Sequence, residues 1–154
     1  DEAEQAFRRA VDLSDPGSPG RAYIAFGWTI LGRREEAIAA FDGVAATLGD
    51  SPYGSLSAFL AGALRGEPAA AASVTPLLEQ SARWVEYLAW ALADGYALIG
   101  RRDDALRWLR EAVERGFINH PFLMLDPCLA SLRDDAEFKM LMEQVHRRWQ
   151  AFDA

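Results

Sequence analysis

The chain has 154 residues, 51% of them hydrophobic, and a formal net charge of −7. This length and composition suit one compact domain or a few stacked small units, and they exclude a disordered chain. The acidic balance disfavours a nucleic-acid backbone or an anionic membrane surface as the main partner, because the summed charge would repel both. A lone cysteine, Cys128, cannot form an internal disulfide, and no apolar run approaches the roughly 20 residues of a membrane span. We therefore expect no direct nucleic-acid binding and no membrane insertion.

Residues 1–17 have the pattern of an amphipathic helix that Asp15 and Pro16 bring to an end. Ala3, Phe7 and Ala10 fall on one face of it. This helix resembles the second half of a helical hairpin whose first half is missing. We therefore expect that the chain begins inside a repeat of a longer protein. The cytoplasm is the expected compartment, but the missing N-terminal part leaves the compartment open.

Residues 18–51 predict a complete helical hairpin. Its first helix runs from Arg21 to Leu31, with apolar residues at i, i+4 and i+7. Gly32 then supplies the left-handed conformation that ends a helix, and two arginines follow where the negative dipole end favours cations. Glu35 and Glu36 begin a second helix that extends to about Leu48. The small Ala37 and the large Phe41 lie on its inner face.

The hairpin turn recurs with a fixed period. Gly32, Gly66 and Gly100 are spaced by 34 residues, and an alanine column follows the same step. A fixed period of about 20 to 50 residues is typical of a repeat architecture. It places further units at residues 52–85 and 86–119.

The middle unit, 52–85, is degenerate. Gly62 replaces the aromatic residue, Thr75 replaces the large apolar residue, and Pro76 falls where a second helix should continue. The helix bounds between residues 68 and 85 are therefore open. In one alternative, Thr75 and Pro76 begin a new helix that runs on toward Ile99.

Residues 120–154 predict a terminal segment of a different kind. Asp126 and Pro127 form a helix start, and a longer helix follows from about Asp135. One apolar stripe runs along that helix: Phe138, Leu141, Met142, Val145, Trp149 and Phe152. A stack of repeats needs a terminal element with one apolar and one polar face, and this helix suits that role.

The repeated pattern resembles the tetratricopeptide repeat. The likeness rests on two sets of residues: Trp28, Gly32, Glu36, Ala37, Ile38 and Phe41, then Tyr96, Gly100, Asp104, Ala105, Leu106, Leu109 and Ala112. It implies an all-α fold, a right-handed α-solenoid of antiparallel helix pairs with a C-terminal capping helix. We expect a single solenoid domain overall.

The end of the chain resembles tails that follow the last repeat in bacterial multidomain signalling proteins. The likeness rests on Gly116, Phe117, Asn119, Pro121, Phe122, Asp126, Pro127, Leu132, Arg133, Phe138 and Trp149. His120 and Ala136 depart from that pattern, at places where an aromatic residue and a proline would be expected. The resemblance implies the C-terminal part of a larger signalling protein and does not identify its upstream domain.

Little in the sequence indicates chemistry. His120 and His146 have no partner at metal-ligand spacing, and one cysteine cannot build a zinc site. The acid pairs at 103–104 and 134–135 stand at predicted helix starts, where capping explains them. No glycine-rich phosphate loop or nucleophile motif is present. We therefore expect no enzyme activity, no catalytic residue, no metal and no cofactor.

The resemblance implies a concave groove lined by the first helix of each unit. The residues predicted to line it are Phe26, Thr29, Tyr53, Leu56, Leu60, Tyr87, Trp90 and Asp94. This mostly apolar row predicts a protein or peptide partner, with Asp94 available to a basic residue. Alternatively, the row packs against itself, the terminal helix or a second copy in a homodimer. A small-ligand sensor is a third hypothesis.

Overall fold

The computed structural model describes residues 2–15, 18 and 20–152, and within these ranges it is helical with no β-strand. The α-helices are α1 Glu2–Leu13, α2 Gly20–Ile30, α3 Arg34–Leu48, α4 Pro52–Arg65, α5 Pro76–Ala82, α6 Glu86–Leu98, α7 Arg102–Glu114, α8 His120–Leu125 and α9 Ala136–Phe152. Two 3₁₀ helices span Pro68–Ser73 and Pro127–Leu132. The all-α prediction is confirmed. Among the described residues, no helix combines the length and apolar character needed to cross a membrane.

The chain forms two compact units, residues 1–78 and 79–154. The first unit contains α1–α4, and the second contains α6–α9. In the first, α2 and α4 both pack against α3, whereas in the second α6 packs mainly against α7 and the second 3₁₀ helix. The predicted solenoid, whose repeats would contact their neighbours, stays a prediction.

The three glycines with 34-residue spacing end their helices in the same way. Gly32, Gly66 and Gly100 have φ angles of 72°, 78° and 73°, in the left-handed region that suits glycine. In each turn the glycine N–H donates to the carbonyl three residues back, and the next N–H donates to the carbonyl five residues back. These two bonds define a Schellman motif. The three positions of the sequence period therefore share one turn geometry, which Gly116 also adopts outside the period.

The hairpin turns after Gly32 and Gly100 also share their side-chain contacts. Arg33 pairs with Glu36 at 2.5 Å, and Arg101 pairs with Asp104 at 2.6 Å. These pairs are partly exposed and contribute little stability by themselves. The close-contact alanines that follow, Ala37 and Ala105, are both fully buried.

The middle unit departs from a regular hairpin. A 3₁₀ helix replaces the start of its second helix, and Gly62 permits the close approach, since a Cβ there would lie 2.6 Å from Ala70 Cβ. Thr75 begins α5 by accepting a hydrogen bond from the Leu78 N–H at 3.2 Å. The predicted continuation to Ile99 is wrong, because α5 ends at Ala82 and Val85 has an extended backbone before α6.

The terminal segment begins its helices as predicted. Asp126 Oδ1 accepts from the Cys128 N–H at 2.9 Å, which caps the second 3₁₀ helix. Asp135 Oδ1 accepts from the N–H groups of Glu137 and Phe138 at 2.8 and 3.2 Å, which caps α9. The stripe residues of α9 from Phe138 to Val145 are buried.

The predicted first segment, 1–17, contains α1. Ala10 is exposed. The side chains of Ala3 and Phe7 and the whole of Pro16 lie outside the described part of the chain.

Candidate interaction surface

In residues 1–78 the predicted groove residues are mostly inside the protein. Phe26, Leu56 and Leu60 are at most 6% exposed, and Thr29 donates its hydroxyl to the Ala25 carbonyl at 3.0 Å. A partner could not reach these side chains in this conformation. Their predicted role in partner binding stays a prediction.

Tyr53 is the half-buried member of that row. Its hydroxyl lies 3.4 Å from the Tyr23 hydroxyl. This hydrogen bond, together with burial, raises the pKa of Tyr53 to about 12. Tyr23 is 48% exposed, so the two phenols form a polar contact that reaches the surface.

In residues 79–154 the predicted row is covered by the chain's own terminal segment. The Trp90 ring stacks on Phe117, with centroids 5.2 Å apart and an interplanar angle of 8°, and meets Phe122 edge-on at 5.2 Å. Tyr87 packs against Trp90 from the preceding helical turn at 5.4 Å. Trp90 Nε1 donates to Asp126 Oδ2 at 2.9 Å. The stretch from Phe117 to the second 3₁₀ helix therefore occupies this face of α6.

Asp94 lies one turn beyond Trp90 and is fully buried. Within the described residues, neither of its carboxylate oxygens accepts a hydrogen bond from a donor group. Burial and the neighbouring Asp126 raise the pKa of Asp94 well above the usual value. A proton held on Asp94 converts the contact with Asp126 into a hydrogen bond. The predicted role of Asp94 as a surface contact for a basic residue is thus at odds with its burial.

Asp94, Asp126 and Cys128 could in principle hold a metal ion. One ligand atom from each lies within 4.8 Å of the others, and all three residues are buried. Both Asp126 oxygens already accept hydrogen bonds, one from Trp90 and one from the Cys128 N–H. Burial raises the pKa of the Cys128 thiol, so this group stays protonated and unreactive at neutral pH. A proton shared between the carboxyls of Asp94 and Asp126 links them by a hydrogen bond and leaves one negative charge in place of two, which accounts for their proximity more simply than a bound ion does.

One accessible feature of the second unit is a cavity of about 400 Å³, which we call the aromatic cleft. Its lining residues are Glu86, Gly116, Phe117, Ile118, Asn119, Trp149 and Phe152. Phe152 is 81% exposed at the end of α9, whereas Phe117 is fixed from behind by its stacking on Trp90. The cleft is therefore open at the side of Phe152 and backed by the Trp90–Phe117 stack at the other.

An exposed tryptophan lies next in sequence to this cleft. Trp84 is 75% exposed and precedes Glu86 by two residues. The Arg115 guanidinium lies 5.5 Å from the centre of its ring, a cation–π distance. Arg115 itself precedes Gly116 of the cleft. Large exposed aromatic groups of this kind are typical of interaction sites.

Sequence reasoning assigned the cleft residues to other roles. The sequence pattern predicts that Trp149 and Phe152 continue the apolar stripe of α9, but the buried residues of that stripe end at Val145. Phe117 enters the sequence analysis only as one of the residues on which the likeness of the tail rests. The length of α9 is the signal that could have indicated exposure of these residues, because the helix continues for seven residues beyond Val145, the last buried position of its stripe.

The two histidines, which lack metal-ligand spacing in the sequence, are neighbours in the structure. The His120 and His146 ring centroids are 4.6 Å apart, and Trp149 lies within 6.4 Å of both. A second cavity of about 400 Å³ opens beside them. Among the predicted acid pairs, Asp104 binds Arg101 and Arg107 while Asp135 caps α9, so both have structural roles.

Comparison with protein-family models, curated proteins and solved structures finds no match to this chain.

Proposed function

We propose that this chain is a non-enzymatic protein-interaction module that binds an apolar peptide segment in the aromatic cleft. The observation that carries the proposal is the cleft itself, which has aromatic walls, a volume of about 400 Å³ and a base in which Phe117 stacks on Trp90. Peptide sites commonly combine apolar pockets with a few placed polar groups.

The cleft favours a ligand of particular composition. Phe117, Ile118, Trp149 and Phe152 suit a large apolar anchor side chain. Glu86 is exposed on the lining and the chain carries a net charge of −7, so a lysine or arginine beside the anchor would be complementary. We therefore propose a partner segment with one large apolar residue flanked by a basic residue.

We further propose that the helices form a tetratricopeptide-type α-solenoid, in the C-terminal region of a larger signalling protein. Support comes from the three equivalent glycine turns at 34-residue spacing and from the matching ion pairs after two of them. The terminal helix α9 has the one-sided apolar face that a solenoid cap needs.

Selection of a displayed random-peptide library on the immobilised chain tests the proposed site. Enriched peptides should carry the anchor and basic residue, and their binding should fall at least tenfold in Phe152→Ser. Leu125→Ser is the matched control, because Leu125 is 76% exposed and does not line the cleft. Equal loss in both variants, or binding unaffected by Phe152→Ser, would contradict the proposal.

Self-association is a second candidate. Leu125 and Met140 are 76% and 63% exposed, which leaves apolar surface on α8 and α9. Light scattering over a range of concentrations tests this candidate. A dimer that Met140→Ser dissociates would support it, whereas a monomer at every concentration would remove it.

A further inference from the structure

The two helices that carry the histidines each carry a methionine one helical turn away from the histidine. On α8, His120 is followed by Met124, and on α9, Met142 is followed by His146, both at i, i+4 spacing. Side chains at this spacing lie on the same face of a helix. All four residues line the second cavity, which we call the histidine–methionine pocket.

The two imidazole rings lie close enough together to bind one ion. Two nitrogens bound to one ion at about 2 Å each lie roughly 3.3 Å apart in a tetrahedral site. Ring centroids 4.6 Å apart allow that separation after rotation of either ring. Within the described part of the chain, His146 Nδ1 is buried and has no hydrogen-bond partner.

The chemistry of the lining selects the class of ion. Thioether sulfur is a soft donor that favours copper(I), and imidazole also accepts copper. A hard divalent ion would find few oxygen ligands, since Glu143 is the acidic residue of the lining. Arg133 and Lys139 add positive charge, which disfavours a divalent ion more than a monovalent one.

We propose that the histidine–methionine pocket binds copper(I) through His120, His146 and the thioethers of Met124 and Met142. No electron transfer is involved, because the ion enters and remains in its reduced state. The site differs from the aromatic cleft, which has none of these four residues in its lining.

The three methionines of the chain provide an internal control. Met140 lies on α9 between the pocket residues in sequence, but it is 63% exposed and does not line the pocket. We would label the methionine methyl groups with ¹³C and titrate the protein with silver(I), a redox-inert probe for copper(I), in chloride-free buffer. The Met124 and Met142 signals should shift and saturate at one equivalent, whereas the Met140 signal should not move.

The same titration in a Cys128→Ala background excludes silver binding at the thiol. The methyl shifts should persist there, and parallel shifts of all three methionines, or none, would overturn the proposal. Copper(I) affinity, measured under anaerobic reducing conditions against a chromophoric chelator, should fall at least tenfold in Met142→Leu and in His146→Gln. It should be unchanged in Met140→Leu. Circular dichroism verifies the helicity of each variant, and folded Met142→Leu protein with wild-type affinity would also refute the assignment.

Discussion

Replacement of Asp94 by Asn should stabilise the protein at neutral and alkaline pH. Asp94 is fully buried, and no donor among the described residues binds its oxygens. Asp126 faces it and accepts hydrogen bonds from Trp90 Nε1 and the Cys128 N–H. An asparagine amide has nearly the same shape, can donate to Asp126 and needs no proton from solvent.

The sign of the effect follows from the direction of the pKa shift. The folded-state pKa of Asp94 is raised by burial and by Asp126, whereas the unfolded chain ionises near pH 4. The stabilisation from the retained proton is complete below the unfolded pKa and is lost as the pH rises through the folded pKa. Between those two values the folded state holds one more proton. Within that interval the free energy of unfolding therefore falls by about 1.4 kcal/mol per pH unit.

Urea unfolding monitored by circular dichroism at pH 5, 6, 7 and 8 measures this slope. The free energy of unfolding of the wild type should fall with rising pH, and Asp94→Asn should reduce this slope by about 1.4 kcal/mol per pH unit, the contribution of one proton. Asp103→Asn is the matched control for removal of one carboxylate, since the Asp103 side chain is 93% exposed. Parallel pH profiles for wild type and Asp94→Asn would refute the shared-proton reasoning.

Three further predictions concern local structure and can be measured by thermal or urea unfolding. Gly32→Ala should destabilise the protein by about 1–2 kcal/mol, because the φ angle of Gly32 is 72°. Gly43→Ala should instead stabilise it by about 0.5–1 kcal/mol, because Gly43 lies within α3 and a Cβ there meets nothing within 4 Å. Stability changes of the same sign in both variants would contradict the turn assignment. Gly62→Ala should destabilise by about 1–3 kcal/mol, since the new Cβ would lie 2.6 Å from Ala70 Cβ, and a neutral result would show that the 3₁₀ helix moves easily. The Arg102 guanidinium lowers the pKa of Asp135 to about 2, so the stabilisation from the ionised Asp135 should be present above the unfolded pKa near 4 and be lost on further acidification. Asp135→Asn should therefore reduce the stability of the protein at pH 6, and equal stability of variant and wild type at that pH would contradict this role.

The parts of the fold that sequence predicted best are encoded within a few neighbouring residues. A glycine forms the left-handed turn by its own conformational freedom, and the acids at 126 and 135 cap the segments that immediately follow them. The degenerate unit was harder, because the break after Ala82 depends on a turn in which no proline or glycine signals the end of α5.

The site residues were harder still, because their contacts join distant positions. Trp90 meets Asp126 across 36 residues, and His120 meets His146 across 26. Helical period placed Trp90 and Asp94 together on one face of α6, and they do share the contact with the terminal segment. The period gave no information about what covers that face, so burial could not be distinguished from an open groove.

The cover on α6 also bears on the proposed binding of a peptide in the second unit. Asp126 caps the second 3₁₀ helix and accepts the Trp90 indole N–H, so the covering segment is fixed by a buried polar contact as well as by ring packing. Displacement of that segment would leave the indole N–H or the carboxyl without a partner, at a cost of about 1–3 kcal/mol in addition to the lost aromatic burial. A peptide that binds the aromatic cleft avoids this cost, because it uses the outer side of Phe117 while Trp90 keeps the inner side. The geometry therefore favours binding on top of the terminal segment over exchange with it.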